Sequence, residues 1–179
     1  MISNRIRQAL TNNKGSATPM ILLLFILILI ILVVLFQFLY KIAILDSVQD
    51  SCRSIAENVL IANAETSYQA KRDGYTGVWH IANGEVSESI VYIDPSASLA
   101  EQLNLSLNGE DLVKTDGEKQ VYRLRDIQLS IHNPEFQESN TPLTANLSLI
   151  VDIDLNFPLV DSVLVSVPVN VSAAWNPKF

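Results

Sequence analysis

Seventeen consecutive apolar residues run from Met20 to Phe36, and beyond them the hydrophobic pattern changes period twice. An α-helix rises about 1.5 Å per residue, so this run spans about 26 Å and, extended through Gln37, Phe38, Leu39 and Tyr40, about 32 Å, the thickness of a hydrocarbon core. Thr18 and Pro19 mark its start, because a hydroxyl caps free backbone N–H groups and proline at the first helical position has no N–H to leave unpaired. No Gly or Pro interrupts the chain between Met20 and Lys71, so the helix is expected to continue past the apolar run. Leu45, Val48, Cys52, Ile55, Val59 and Ala62 fall at spacings of 3, 4, 3, 4 and 3, one helical stripe, with Asp46, Gln49, Asp50, Arg53, Glu57 and Asn58 on the remaining faces. The pattern predicts a rod of about 50 residues, about 75 Å long, with its first half in lipid and its second in water. The stripe suits packing on the chain's own globular part or a seam with a neighbouring helix. It covers only about two and a half heptads, so the chain's own domain is the expected partner, with neighbours on other faces.

After Lys71 the period shortens from 3.6 to 2 and turn residues recur, the signature of an antiparallel β domain. A first hairpin is expected from Val78–Ala82 and Glu85–Ile93, joined at Asn83 and Gly84. Ser96–Leu103 reads as a short helix capped by Ser96 or Ser98, followed by a turn at Asn108 and Gly109. Asp116 and Gly117 lead into a strand from Gln120 to His132 in which Ile127, Leu129 and Ile131 share a face. Asn133 to Thr141 reads as a loop. Two strands close the chain, with Leu147, Leu149, Val151, Ile153, Leu155 and Phe157 alternating with Ser148, Ile150, Asp152, Asp154 and Asn156, then Val163, Val165, Val167, Val169 and Val171 alternating with Leu164, Ser166, Pro168, Asn170 and Ser172. Pro168 suits an edge strand, since it donates nothing to a ladder. The fold class is therefore α+β, with four segments: residues 1–18, a basic leader; 19–40, a transmembrane helix; 41–70, its amphipathic extension; and 71–179, a β-rich domain of 109 residues, enough for one core.

Charge fixes an orientation. Arg5, Arg7 and Lys14 precede the apolar run with no acidic residue among them, so the positive-inside rule keeps the amino terminus in the cytoplasm and sends the remainder across the membrane. From residue 41 onward nine basic side chains face nineteen acidic ones, a net charge of −10, which argues against nucleic-acid binding. A secretory signal peptide competes with an anchor. Its apolar stretch usually spans about 7–15 residues before a small-residue cleavage site, whereas Gln37 to Lys41 offers no such site, so a retained anchor is expected.

Catalytic chemistry is sparse. His80 and His132 lie far apart with no cysteine near either, and Cys52 is the sole cysteine, so neither a metal shell nor a disulfide framework is expected. Asp152, Asp154 and Asn156 share one side of a strand, where a solvated sheet face is expected rather than a calcium site. Trp79, Trp175, Tyr75 and Tyr92 are expected to fill a core rather than form a binding platform. Gln37 reads as an interfacial polar residue, its alternative being an interhelical hydrogen bond worth about 0.6–2 kcal/mol. No cofactor and no enzymatic activity are expected.

The layout of a basic leader, Lys14-Gly15-Ser16, a long helix turning from apolar to amphipathic and a β-rich head resembles type IV pilin-like proteins, particularly the TadE-like pseudopilins of tight-adherence (Flp) pilus systems. Gly15 followed by Ser16, Ala17 and Thr18 looks like the site where a prepilin peptidase cuts that family after glycine. The resemblance implies that the chain sits in the cell membrane until a motor extracts it into a fibre, with membrane lipid, other pilin-like subunits and the assembly machinery as partners. Met20 occupies the fifth mature position, where the family usually carries glutamate, which implies a minor or accessory subunit that primes or caps a fibre. Processing is implied at Gly15 and Ser16, and helix packing at Met20, Gln37, Leu45, Val48, Cys52, Ile55 and Val59. The alternative function is a permanently anchored extracytoplasmic binding module that never polymerises.

Overall fold

The computed structural model describes residues 17–72, 74, 77–82, 84–117, 119–136, 141–157 and 160–175. These form two compact units, one running through Ile42 and the other from Ala43 onward. A single helix, α1 (Ala17–Ala62), belongs to both. A one-residue turn at Asn63 separates it from α2 (Ala64–Arg72), so the uninterrupted helix expected to Lys71 has one break. Glu65 at the start of α2 and Lys71 and Arg72 at its end complement the helix dipole.

Within the second unit, five strands form an antiparallel sheet in chain order: β3 (Ser106–Asn108), β4 (Asp111–Asp116), β5 (Lys119–His132), β6 (Leu143–Phe157) and β7 (Val160–Trp175). The closing pair expected from alternation is present and extends further, from Leu143↔Trp175 to Ile153↔Val165 and beyond. Ala43–Ala62 of α1 packs on one face of this sheet. Ile44, Val48, Cys52 and Ile55 meet Leu112, Leu124, Leu147, Leu149, Val151 and Ile153, all buried, while Ala56, Val59 and Leu60 meet Val78, Leu143 and Ala145. The long apolar helix and antiparallel sheet make a pilin-like architecture.

The stripe departs from expectation at its end. Ala62 is exposed and Asn63 takes the buried place, because a 3.6-residue helix drifts against a strict 3–4 alternation and turns the contact line towards Leu60 and Asn63. The sheet manages a similar mismatch in β5. Tyr122 and Leu124 face the helix at even positions, and Ile127, Leu129 and Ile131 do so at odd ones. A bulge reconciles them: Arg125 pairs with Ile150 and Gln128 with Ser148, so Asp126 and Ile127 together oppose Leu149, and Asp126 adopts a left-handed φ of 55°. The extra residue keeps every apolar side chain on the core face.

A separate hairpin, β1 (Trp79–Ala82) with β2 (Glu85–Glu88), is shorter than the expected span to Ile93. The pairing stops at Glu88 because Val91 gives both its backbone groups to the Asn63 side chain: its N–H donates to Oδ1 at 2.8 Å and its C=O accepts from Nδ2 at 2.9 Å. The helix α3 (Pro95–Leu103) starts one residue earlier than expected, and its cap is Asp94, whose carboxylate accepts from the Ser96 N–H at 2.9 Å. Neither serine is the cap. Proline at the first position makes Asp94 the residue placed to hold the free N–H groups.

Candidate functional site

The apolar half of α1 is where this chain departs most from a water-soluble protein. Its most apolar window has a mean hydropathy of 3.5 and none of it is buried, which is consistent with a single membrane span or a signal sequence. Met20 is 75% exposed, and large apolar side chains stay open from there through Phe38, Leu39 and Tyr40. Each such side chain is worth about 1.5–3 kcal/mol when removed from water, so this length of helix requires lipid or other helices around it. The run ends with the Lys41 ammonium 5.7 Å from the Tyr40 ring centre, an arrangement suited to a headgroup boundary. Gln37 is only half exposed on this helix. Gly15 and Ser16, the expected processing site, lie outside the described residues.

The other helix positions singled out in the sequence lie within the second unit, where the chain's own domain was the expected partner. Val48, Cys52, Ile55 and Val59 are buried in the core of their own head, with Leu45 half-buried beside them. Burial pushes the Cys52 thiol up to about 11, which keeps it protonated. The stripe therefore packs on the sheet of its own head.

On the far side of the sheet lies the one buried charge network among the described residues. Asp152 is 1% exposed. It accepts from the Arg123 guanidinium at 2.8 Å, from Arg125 Nε at 2.9 Å and from the Ser166 hydroxyl at 2.6 Å, and Asp111 stands 3.6 Å from Arg123. Burial alone raises its carboxyl pKa, but the three hydrogen bonds outweigh that and hold it below the ordinary carboxylate value. The expected solvated face is thus corrected at Asp152. Both carboxylate oxygens are engaged by donors of the same chain, and the network ties β5, β6 and β7 together. Asp154 is half-buried on the same face.

Among the described residues no group of three or more His, Cys, Asp or Glu is placed to hold a metal ion. His80 lies in β1 and His132 at the end of β5. Two asparagines, which the sequence did not mark, do more than either histidine. Asn133 accepts from the Val78 N–H at 2.8 Å and donates to Glu88 at 3.0 Å, while the Trp79 indole donates to Pro134 C=O at 3.0 Å and its ring meets Phe136 edge-on at 6.1 Å. Asn133 fixes the small hairpin to the end of β5, as Asn63 fixes Val91. A lone Asn beside a turn is the only sequence trace of either. Of the aromatics expected in the core, Trp79 and Trp175 are half-buried, Tyr92 is 68% exposed, and Tyr75 lies outside the described residues.

Comparison with protein-family models, with curated proteins and with solved structures gives no match to this chain. Its functional reading rests on the architecture and on the side chains themselves.

Proposed function

We propose that this protein is a non-enzymatic, single-pass membrane component of a pilus-like or related secretion assembly, a minor pseudopilin in the sense of the TadE-like family. The observation that carries the reading is the division of α1. Its first half offers a continuous exposed apolar surface, whereas its second half is committed to the core of an acidic head. Moving the first half into water costs on the order of tens of kcal/mol, so it passes from lipid only into another apolar environment. Neighbouring helices of the same kind provide one. The head, continuous with the same helix, travels with it.

The partners in this proposal are membrane lipid before assembly, pilin-like subunits after it, and a prepilin peptidase acting at Gly15 and Ser16. Mass spectrometry of the membrane-extracted chain, with and without the cell's prepilin peptidase, tests it. Peptidase-dependent loss of Met1 to Gly15 supports the reading. An intact leader in both samples overturns it in favour of a permanently anchored module.

A further inference from the structure

Both edges of the five-stranded sheet are open among the described residues. They are not alike. At one edge β3 carries Leu107, which pairs with Leu112 and so lies on the same face as the buried row Leu112, Leu124 and Val151. Leu107 itself is 69% exposed. It is a core-face leucine with no core over it.

At the other edge, α1 and the end of β7 enclose a groove of about 360 Å³ lined by Leu60, Ile61, Ala173, Ala174 and Trp175 together with the polar Glu57 and Ser172. Ile61 is 63% exposed there, and the Trp175 indole N–H is buried with no acceptor among the described residues. One edge thus presents an unused apolar knob and the other an unfilled apolar groove, both on the helix side of the sheet.

We infer that these edges pair between copies: β3 of one chain adds to Val169–Trp175 of β7 in the next, seating Leu107 in the groove. This rests on the assembly reading above. Pro168 excludes the in-line register, and the groove selects the displaced one. With the sheet continued in line, Leu107 falls level with Val167, because Leu112, Leu124, Val151 and Val167 form one cross-strand row, and there the proline beside it has no N–H to offer. The ladder is free again from Val169, and a displacement of about six residues, ~20 Å along the strand, carries Leu107 past the proline to Ala173 in the groove wall.

A two-fold pairing of β7 with β7 fits less well. The helix-side residues of that stretch, Val169 and Val171, are 7% and 6% exposed and already spent in their own core, so neither strand brings a side chain to fill the other's groove. Pairing unlike edges does not close on itself after two copies, and it propagates along the sheet. A three-residue strand and one leucine bury far less than the roughly 1,200 Å² of a stable independent complex. The contact therefore forms only where membrane anchoring and helix packing already concentrate the chains.

The test is oxidative cross-linking of the full-length chain in its native membranes. Leu107→Cys and Ala173→Cys are introduced separately and together, and Phe36→Cys serves as a reporter of helix neighbours. Cys52 stays in place, since it is fully buried. The double variant is expected to give a disulfide ladder of dimers, trimers and higher species, at least tenfold above either single variant. No ladder in the double variant, with Phe36→Cys still cross-linking, overturns the edge pairing and leaves the assembly reading standing. No cross-linking in either overturns both. Ile61→Glu, added to the double variant, separates the contact from folding: Ile61 is 63% exposed, so the melting temperature is expected to match that of the double variant, while a charge inside the groove is expected to reduce the ladder at least tenfold. An undiminished ladder contradicts the seating of Leu107.

Discussion

Replacing Asp152 by alanine removes the acceptor at the centre of the outer-face network. Three donors lose it at once, at 2.6, 2.8 and 2.9 Å. Fully enclosed, charge-assisted hydrogen bonds of this kind carry about 1.5–3 kcal/mol each. The two guanidiniums, however, have side chains 35% and 36% exposed and regain water when the carboxylate is lost. Discounting for that screening leaves a net loss of about 2–3 kcal/mol. For a domain of this size the loss corresponds to a drop in melting temperature of roughly 6–12 °C. Near-ultraviolet circular dichroism of the full-length chain in detergent micelles reads it, because both tryptophans, Trp79 and Trp175, lie in the head. The pH dependence has a definite sign. The folded carboxyl lies below its unfolded value of about 4, so its contribution is fully present above that pH and is lost as pH falls through the lower folded value. The gap between wild type and Asp152→Ala is therefore widest near neutrality and closes in acid. A variant melting within about 1 °C of wild type at pH 7 refutes the reasoning, since a buried pair broken at one end does not cost so little.

Gly77 adopts a φ of +82°, and a Cβ placed there collides with Asn133 Oδ1 and meets the Pro134 ring at 3.0 Å, so Gly77→Ala is expected to cost about 1–3 kcal/mol and to shift Trp79 fluorescence. Gly84→Ala, at +85° with open space around it, isolates the strain from the collision, and equal losses at the two sites contradict the role given to Asn133. Asn63→Ala strips both backbone groups of Val91 of their partner; we expect about 2–3 kcal/mol of destabilisation and faster amide exchange at Val91, and exchange unchanged from wild type rules out the clamp. The Cys52 thiol, held up to about 11 by burial, is expected to resist disulfide reagents at pH 8 until the head is denatured, and rapid labelling of the folded chain counts against the placement of the stripe.

The strands that patterning located best are those whose partners are also regular. β6 and β7 pair without a register shift from Leu143↔Trp175 to Leu155↔Val163, so period and turn residues are enough there. In β5 the same rule contained its own warning, since Leu124 and Ile127 differ in parity, and only a bulge keeps both on one face. Asp152 was misplaced because alternation assigns a polar residue to solvent. What buries it is the pair Arg123 and Arg125 across one strand boundary and Ser166 across the other, a juxtaposition that register alone decides. Asn63 was invisible for a related reason. Its partner Val91 is 28 residues away, and no local pattern links a side-chain amide to a distant peptide group. The apolar surface from Met20 to Tyr40 was fully legible, because hydropathy over one continuous helix needs no tertiary information.

The central claim is that this surface exchanges lipid for neighbouring subunits. Phe25, 61% exposed within it, is a suitable position for a photo-cross-linking amino acid incorporated in living cells with and without the assembly motor. Adducts with other protein chains that depend on the motor, and lipid adducts alone without it, are the predicted result. Lipid adducts alone in both strains contradict the account.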